Sequence, residues 1–223
     1  MLGPLRWTAW DDEQKKHITN IEEQDAVIDL LDLPAILKEK GFQAFELCHF
    51  HFPLTDALYL QRLKKACEDA GIRLYTLLLD YGDLSSSDGL RVEADIQLKQ
   101  IFSLFKEWID IAAEVGAERV RVVAGDASPD DKEALIRASQ HFNELATYAH
   151  KQGVKIITEN FRSLLSTSEN CLHIVNQSND QIKLITDFGN MNGAVKYNEL
   201  AAIIPYSDSI HAKPQYDSRW DTR

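Results

Sequence analysis

Val154-Lys-Ile-Ile-Thr-Glu159 is the first of three short, strand-like segments in the last third of the sequence. The second is Ile182-Lys-Leu-Ile-Thr-Asp187, and the third is Ser209-Ile-His211. Each segment ends in a side chain that can bind a metal ion, and together they offer two carboxylates and one imidazole. Because parallel strands end at the same edge of a sheet, these side chains converge if the three strands are parallel neighbours.

Upstream of these segments, the sequence alternates between strand-like and helix-like stretches. Strands are predicted at residues 4–10, 42–52, 72–79 and 118–124, and helices at residues 23–40, 55–70, 93–115 and 132–152. Each of these helices is followed by a glycine, which readily adopts the conformation that closes a helix. Pro34 interrupts the first helix and favours a new start near Leu33. The polar residues 11–20 are predicted to form a loop, and short helices are predicted at residues 169–176 and 198–204.

This alternation predicts a parallel sheet with right-handed crossover connections. An open, doubly wound fold and a closed barrel both have such a sheet. No turn carries a G-x-G-x-x-G motif or a Walker loop, so no nucleotide-binding version of the open fold is indicated. About seven strands can be counted, and polar residues recur where strands end, as in barrels with their site at that face. The sequence therefore predicts an α/β fold, a TIM barrel forming a single domain over residues 1–223.

Alternation along a strand predicts which side chains share a face with the three metal-binding candidates. Glu159, Asp187 and His211 are expected to face the barrel interior together with the residues two and four positions before them, namely Ile157 and Lys155, Ile185 and Lys183, and Ser209 and Ser207. An alternative remains open, because Glu-Asn and Asp-Phe-Gly sequences also cap helices and form turns. The agreement of three strands on one register favours the metal site.

Composition narrows the class of protein and its partners. The chain has 223 residues, enough for one sizeable core, and its formal net charge of −11 argues against nucleic acid as the main partner. Cys48, Cys67 and Cys171 form no C-x-x-C pair, which indicates a reducing compartment. The first residues lack the apolar core of a signal peptide, and no apolar run reaches the roughly 18 residues of a membrane helix. We therefore expect a cytoplasmic protein with no membrane partner.

Five short motifs carry a resemblance to a known family. They are Phe45-Glu46-Leu-Cys-His, Arg121-Val-Val-Ala-Gly-Asp126, Thr158-Glu159-Asn160, Thr186-Asp187-Phe-Gly-Asn190 and His211-Ala-Lys213. In these motifs the sequence resembles the xylose isomerase-like TIM-barrel superfamily, which contains sugar isomerases and epimerases and also endonuclease IV. The resemblance extends from Pro4 to the end of the chain and is most specific in the last third.

The resemblance implies one divalent cation held by Glu159, Asp187 and His211, together with a glutamate at the end of an eighth strand. It also implies that Glu159 moves a proton at the carbon next to a substrate carbonyl, through an enediolate that the cation stabilises. Oxygen donors combined with one imidazole suit Mn²⁺ or Mg²⁺, and Zn²⁺ or Co²⁺ are further options.

Two more residues near these motifs are candidates for contacts with a substrate. Lys213 lies on the same strand face as His211, where it could neutralise an oxyanion or carboxylate during catalysis. A solvated lysine at the rim is the alternative. Arg162 could bind a phosphate or carboxylate of the substrate, although a surface arginine also explains this position.

Two residues of the predicted second strand complete the candidates for substrate binding. The resemblance includes Glu46 in this strand. His49 and His51 follow at its exit, and in regular strand geometry at most one of them reaches the mouth of the barrel. His51 is favoured for binding a hydroxyl group, because the strand ends near Pro53.

Two departures from the family bear on the function. Nuclease members place a histidine three residues after the aspartate of the sixth strand, where this chain has Asn190, and they carry an H-x-H motif that is missing here. A three-zinc DNA-repair site is therefore not expected. After His211 only residues 212–223 remain, too few for an eighth strand and its helices. We expect an incomplete barrel without its last βα unit, a native chain that continues for roughly 40 residues, and open strand edges that favour a homodimer.

Three functions follow from these observations. The leading hypothesis is a metal-dependent isomerase or epimerase acting on a sugar, a polyol or a related hydroxy-carbonyl compound. A dehydratase similar to inosose dehydratases is an alternative, because the same enediolate can lose a β-hydroxyl group. A family member that binds a small molecule without catalysis is the third, since no carboxylate of an eighth strand is present in the sequence.

Overall fold

The computed structural model describes residues 2, 5–11, 13–22, 25, 28–86, 92–178, 181–213, 216–218 and 221–222. The chain divides into two compact units. The N-terminal unit comprises Met1–Tyr81, Gly89–Arg121 and Thr147–Lys155, and the C-terminal unit comprises Gly82–Asp88, Val122–Ala146 and Ile156–Arg223. No described helix combines the length and the hydropathy that a membrane span requires.

The N-terminal unit begins with an antiparallel hairpin. β1 (Leu5–Asp11) pairs with β2 (Lys16–Glu22), so the first predicted strand does not join the parallel sheet. The prediction of a loop at residues 11–20 is wrong for most of its length. The sequence resembles a loop because the hairpin is largely exposed and needs few apolar residues. The strand preference of β2 comes from β-branched residues such as Ile18 and Thr19.

Three parallel strands and their helices follow in the N-terminal unit. They are α1 (Leu33–Glu39), β3 (Ala44–Cys48), α2 (Ala57–Ala70), β4 (Arg73–Leu78), α3 (Val92–Val115) and β5 (Arg119–Arg121). β4 pairs in parallel with both β3 and β5. α1 starts at Leu33 with Pro34 in its first turn, as the proline predicts. Residues 23, 24, 26 and 27 of the longer predicted helix lie outside the described residues.

Local sequence sets the ends of these elements. The Asp56 side chain accepts a hydrogen bond of 3.1 Å from the Tyr59 backbone N–H and so caps the start of α2. Gly71 ends α2 with a φ of +61°, which favours glycine. The strand predicted at residues 42–52 is wrong at its end, because it stops at Cys48 and His49–His51 form a 3-10 turn.

The C-terminal unit contains the three strands that end in metal-binding candidates. Its elements are α4 (Lys132–Lys151, the last five residues counted with the N-terminal unit), β6 (Lys155–Glu159), α5 (Ser168–Asn176), β7 (Ile182–Asp187), α6 (Lys196–Ile203) and β8 (Ser207–His211). β7 pairs in parallel with β6 and with β8. The described residues thus contain six parallel strands, three in each unit, where about seven were predicted. After Lys213, β9 (Tyr216–Ser218) and β10 (Asp221–Thr222) form a short antiparallel pair.

Strands β6 and β7 of the C-terminal unit are almost entirely buried. Four of the five residues of β6 and five of the six residues of β7 are buried, as expected for parallel strands with helices on one side and the interior on the other. Helix α5 packs against β7, and its side chains Cys171 and Ile174 are fully buried. Helix α5 thus covers β7, the strand that ends in Asp187.

Strand pairing confirms most of the predicted register and corrects one residue. Glu159 lies opposite Ile185, and Asp187 lies opposite His211, so these side chains share one face of the sheet. Leu184 pairs with Ser207 but Ile185 pairs with Ser209, which makes Asp208 a β-bulge. The bulge moves Ser207 to the opposite face, where its hydroxyl lies 2.5 Å from that of Thr186. The prediction that Ser207 shares a face with His211 is therefore wrong.

Candidate metal centre

The ends of β6, β7 and β8 bring Glu159, Asp187 and His211 together. One ligand atom of each residue lies within 4.8 Å of the other two. Nδ1 of His211 is 3.5 Å from Oε1 of Glu159 and 4.0 Å from Oδ2 of Asp187. In the described part of the chain, this is the only group of three or more such side chains close enough to share a cation.

Burial and charge make this cluster suitable for a cation. Glu159 and Asp187 are 5% and 4% exposed, whereas His211 is half-buried. Two carboxylates so close in a buried position repel each other, and a cation between them would offset this repulsion. Two oxygen donors and one imidazole nitrogen form a ligand set for Mn²⁺, Mg²⁺, Zn²⁺ or Co²⁺. The residues present fit the divalent cation that the sequence predicts, and their role as ligands remains a prediction.

Tight turns fix the direction of each side chain. The Phe161 N–H donates to the Glu159 carbonyl at 2.7 Å, and the Lys213 N–H donates to the His211 carbonyl at 2.8 Å. Both are γ-turns, which reverse the chain directly after the strand. Asp187 is held differently, because its Oδ1 accepts a hydrogen bond of 2.6 Å from the Gly189 N–H. Each candidate ligand thus stands at a sharp turn.

Two asparagines contact this cluster, and sequence reasoning missed their part in it. Asn160 is fully buried and makes two hydrogen bonds with the backbone of Asp187. Asn190 donates from Nδ2 to Oε1 of Glu159 at 3.0 Å. A signal was available, since each carboxylate is followed by an asparagine within three positions. Their partners could not be read from one sequence, because they depend on the alignment of β6 with β7.

Lys213 lies beside the cluster. Its Nζ is 3.9 Å from Oδ2 of Asp187, and its side chain is 62% exposed. Its aliphatic stem passes over Gly189, where an added Cβ would be 2.6 Å from Cδ of Lys213. The missing side chain at Gly189 therefore leaves the space that Lys213 uses. Its catalytic role remains a prediction.

Arg162 forms an ion pair with Asp126, with 2.7 Å between Nη1 and Oδ2. Its backbone has a φ of +63°, an uncommon conformation for a residue other than glycine. Its guanidinium lies 5.9 Å from the ring centroid of Phe161. Substrate binding by Arg162 remains a prediction, and any anionic group would have to compete with Asp126.

Glu46 and His51 belong to the N-terminal unit, and their substrate-binding roles remain predictions. Glu46 is half-buried on β3 and lies opposite Thr76 of β4. His51 is half-buried in the 3-10 turn after β3, and burial lowers its pKa although Asp80 acts to raise it. His49 is buried in the same turn, and its ring makes edge-on contacts with the rings of Tyr81 and Trp108.

Comparison with known proteins identifies the family. A sequence model described as xylose isomerase-like TIM barrel matches residues 34–220. Because the match covers most of the chain, this protein belongs to the xylose isomerase-like TIM-barrel family. The comparison with curated proteins gives no significant match.

Several solved structures have a similar fold. D-psicose 3-epimerase with D-tagatose, from Clostridium cellulolyticum H10, has a TM-score of 0.67 and 17% identity, covering 82% of this chain and 67% of that chain. For 3-keto-D-glucoside 4-epimerase from E. coli, the TM-score is 0.60, the identity 16% and the coverage 81% and 72%. A xylose isomerase-like TIM barrel protein from Mycobacterium smegmatis in complex with magnesium has a TM-score of 0.60, 18% identity and coverage of 84% and 68%. With the family match, these similarities confirm the predicted α/β TIM-barrel fold class.

Proposed function

We propose that this protein is a divalent-metal-dependent isomerase or epimerase of a sugar or a related hydroxy-carbonyl compound. The observation that carries the proposal is the convergence of Glu159, Asp187 and His211 at three strand ends. Two further findings support it. The family is that of xylose isomerase-like barrels, and sugar epimerases are among the solved structures with this fold.

The proposed reaction assigns separate tasks to the residues. The carboxylate of Glu159 takes a proton from the carbon next to the substrate carbonyl. The electron pair of the broken C–H bond forms a C=C bond, and the π pair of the carbonyl moves to its oxygen as an enediolate forms. Return of a proton to the same carbon from the other side gives an epimer, and its delivery to the adjacent carbon gives an isomer. When bound, a divalent cation supplies Lewis-acid stabilisation of the negative charge on oxygen.

The remaining candidates bind and orient the substrate. The ammonium group of Lys213, close to Asp187, adds positive charge next to the reacting oxygens. His51 and Glu46 would bind hydroxyl groups, and Arg162 an anionic group if the substrate carries one.

Exchange of a substrate proton with solvent tests the proposal. Protein loaded with Mn²⁺ is incubated in D₂O with a panel of free and phosphorylated ketoses, and the products are followed by NMR. We expect deuterium at one carbon without loss of water, and Glu159→Gln should lower the exchange rate by at least about 10³-fold. Glu169→Gln is the matched control, because Glu169 is a 79%-exposed carboxylate of the same unit that pairs with Lys132.

Three outcomes separate the alternatives. Loss of water together with proton exchange would replace epimerisation with a dehydratase reaction. Cation binding without any exchange would indicate a binding protein. Failure to bind a cation at all, or an unchanged exchange rate in Glu159→Gln, would contradict the proposed function.

A further inference from the structure

Two asparagines connect the two carboxylate-bearing residues of the metal centre in a reciprocal way. Asn160 directly follows Glu159 in sequence but binds Asp187, and Asn190 lies three residues after Asp187 but binds Glu159. The segments that end β6 and β7 are therefore joined twice, once in each direction.

Asn160 binds the backbone of Asp187 as a neighbouring strand would. Its Oδ1 accepts from the Asp187 N–H at 2.7 Å, and its Nδ2 donates to the Asp187 carbonyl at 3.0 Å. A backbone N–H can only donate and a carbonyl can only accept, so these partners fix the orientation of the amide. Because Asn160 is fully buried, removing its side chain takes both of these hydrogen bonds from the Asp187 backbone in a place that water does not reach.

Asn190 makes the opposite link, from the turn after β7 back to the side chain of Glu159. Its backbone N–H donates to the Asp187 carbonyl at 3.3 Å, which places Asn190 in the turn that Asp187 begins. From this turn its Nδ2 donates to Oε1 of Glu159, the same oxygen that faces Nδ1 of His211. The hydrogen bond therefore directs this oxygen toward the shared centre.

We infer that Asn160 and Asn190 are positioning residues that hold the carboxylates of Glu159 and Asp187 at the spacing a divalent cation requires. The inference rests on the proposed function, because it concerns the same metal centre. The two carboxylates repel each other when no cation is bound, and the two amides keep them from separating. Partners of metal ligands usually contribute about 10- to 100-fold to cation affinity.

Binding of Mn²⁺ measured by calorimetry, with no substrate present, tests the inference. Asn160→Ala and Asn190→Ala are each expected to weaken Mn²⁺ binding by about 10- to 100-fold. Asn160 orders the turn that carries Asn190, so the double variant should lose less affinity than the product of the two single losses, by at least about threefold. Asn190 is half-buried, and its variant provides the test if Asn160→Ala does not fold.

Asn170→Ala is the matched control for a general loss of stability. Asn170 is also buried in the C-terminal unit, and its Nδ2 donates to the carbonyls of Pro129 and Leu164 at 2.9 and 2.8 Å. We expect this variant to be destabilised without a change in Mn²⁺ affinity. An equal loss of affinity in Asn160→Ala and Asn170→Ala, or wild-type affinity in Asn190→Ala, would overturn the inference.

The wild-type protein separates this inference from the proposed function. If it binds Mn²⁺ but exchanges no substrate proton, the proposed catalysis fails, and affinity losses in the asparagine variants still support the inference. If it binds Mn²⁺ and is active while both variants bind as tightly, the inference alone fails. If it binds no Mn²⁺, both fail.

Discussion

His49 and His51 are two residues apart, yet their surroundings differ. The ring of His49 packs 4.8 Å from that of Tyr81 and 5.6 Å from that of Trp108, and the residue is 2% exposed. Burial lowers its pKa to about 4, although the charge of Asp80 acts in the opposite direction. His49 is thus a neutral core residue near pH 7, whereas His51 of the same turn is half-buried.

Acid is expected to destabilise the protein through His49. Between its ordinary pKa of 6.5 and its folded-state value of about 4, the unfolded chain binds a proton that the folded protein excludes. Stability therefore falls as the pH drops through this window, by an amount on the order of 3 kcal/mol for this residue. His17 and His51, whose pKa values burial also lowers, act in the same direction.

Denaturant unfolding at pH values between 7 and 4 measures this effect. The variant His49→Gln should show a weaker dependence of the unfolding free energy on pH, whatever its stability at pH 7. His150→Gln removes an exposed histidine of α4 and should keep the wild-type dependence. Identical pH dependence in the two variants would rule out His49 as the cause.

At the level of single residues, the sequence predicts the convergence of Glu159, Asp187 and His211 but not the hydrogen bonds that position them. The three residues are visible because each ends an apolar strand. The partner of Asn160 depends on which residue of β7 lies beside it, and this alignment is set by packing between strands distant in sequence.

Among the elements, the turn after β7 has the clearest consequence for chemistry. Gly189 donates its N–H to Asp187 and leaves the space that the stem of Lys213 fills. An added Cβ would approach Cγ and Cδ of Lys213 to 3.0 and 2.6 Å, and Oδ1 of Asp187 to 3.2 Å. The flexible lysine would have to move, whereas the buried carboxylate would adjust only slightly.

Gly189→Ala is therefore expected to act like Lys213→Met. Both should lower kcat by about tenfold or more, because positive charge is lost near the reacting oxygens, while Mn²⁺ affinity stays within about threefold. Steady-state kinetics and Mn²⁺ titration of each variant measure the two effects. Lys132→Met is the control, since Lys132 is a comparably exposed lysine paired with Glu169 in the same unit. A large loss of Mn²⁺ affinity in Gly189→Ala would show that Asp187, and not Lys213, is displaced.

The sequence predicts the order of the helices and strands better than it predicts how the strands pair. Glycine after each long helix and Pro34 at the start of α1 are local signals, and they marked boundaries correctly. The hairpin of β1 and β2 was missed because its second strand is polar and mostly exposed, so apolar periodicity is absent. The bulge at Asp208 was missed because an extra residue in a strand does not change its composition.

For the molecule as a whole, the alternation of strands and helices was sufficient to predict the fold class. The family match and the solved structures with the same fold confirm it. The number of parallel strands was harder to predict, because a strand-like sequence does not reveal whether it pairs in parallel or in a hairpin. The described residues contain six parallel strands, and the proposed metal centre lies in the C-terminal unit.

Cation binding should stabilise the folded protein, because the unfolded chain does not bring Glu159, Asp187 and His211 together. At a Mn²⁺ concentration 100 times the Kd, the expected gain is about 2.7 kcal/mol. For a chain of this length the gain corresponds to a rise in Tm of roughly 5 to 10 °C. Thermal unfolding with Mn²⁺, and again after addition of EDTA, measures the rise and its reversal. Asp187→Asn should abolish the rise, and a rise of equal size in this variant would place the stabilising ion elsewhere.

The bulge in β8 has a consequence for the inheritance of the site. Ser207 and His211 are separated by one residue more than the paired stretch of β7, so a homologue without the bulge aligns only across a one-residue gap. Loss of the codon for Asp208 would keep the length of the hydrogen-bonded ladder nearly intact. It would leave the other residues on their present faces, because Ser207 and Ser209 already pair with consecutive residues of β7. In this strand, a three-nucleotide deletion would therefore pass through a lineage without turning His211 away from the proposed centre.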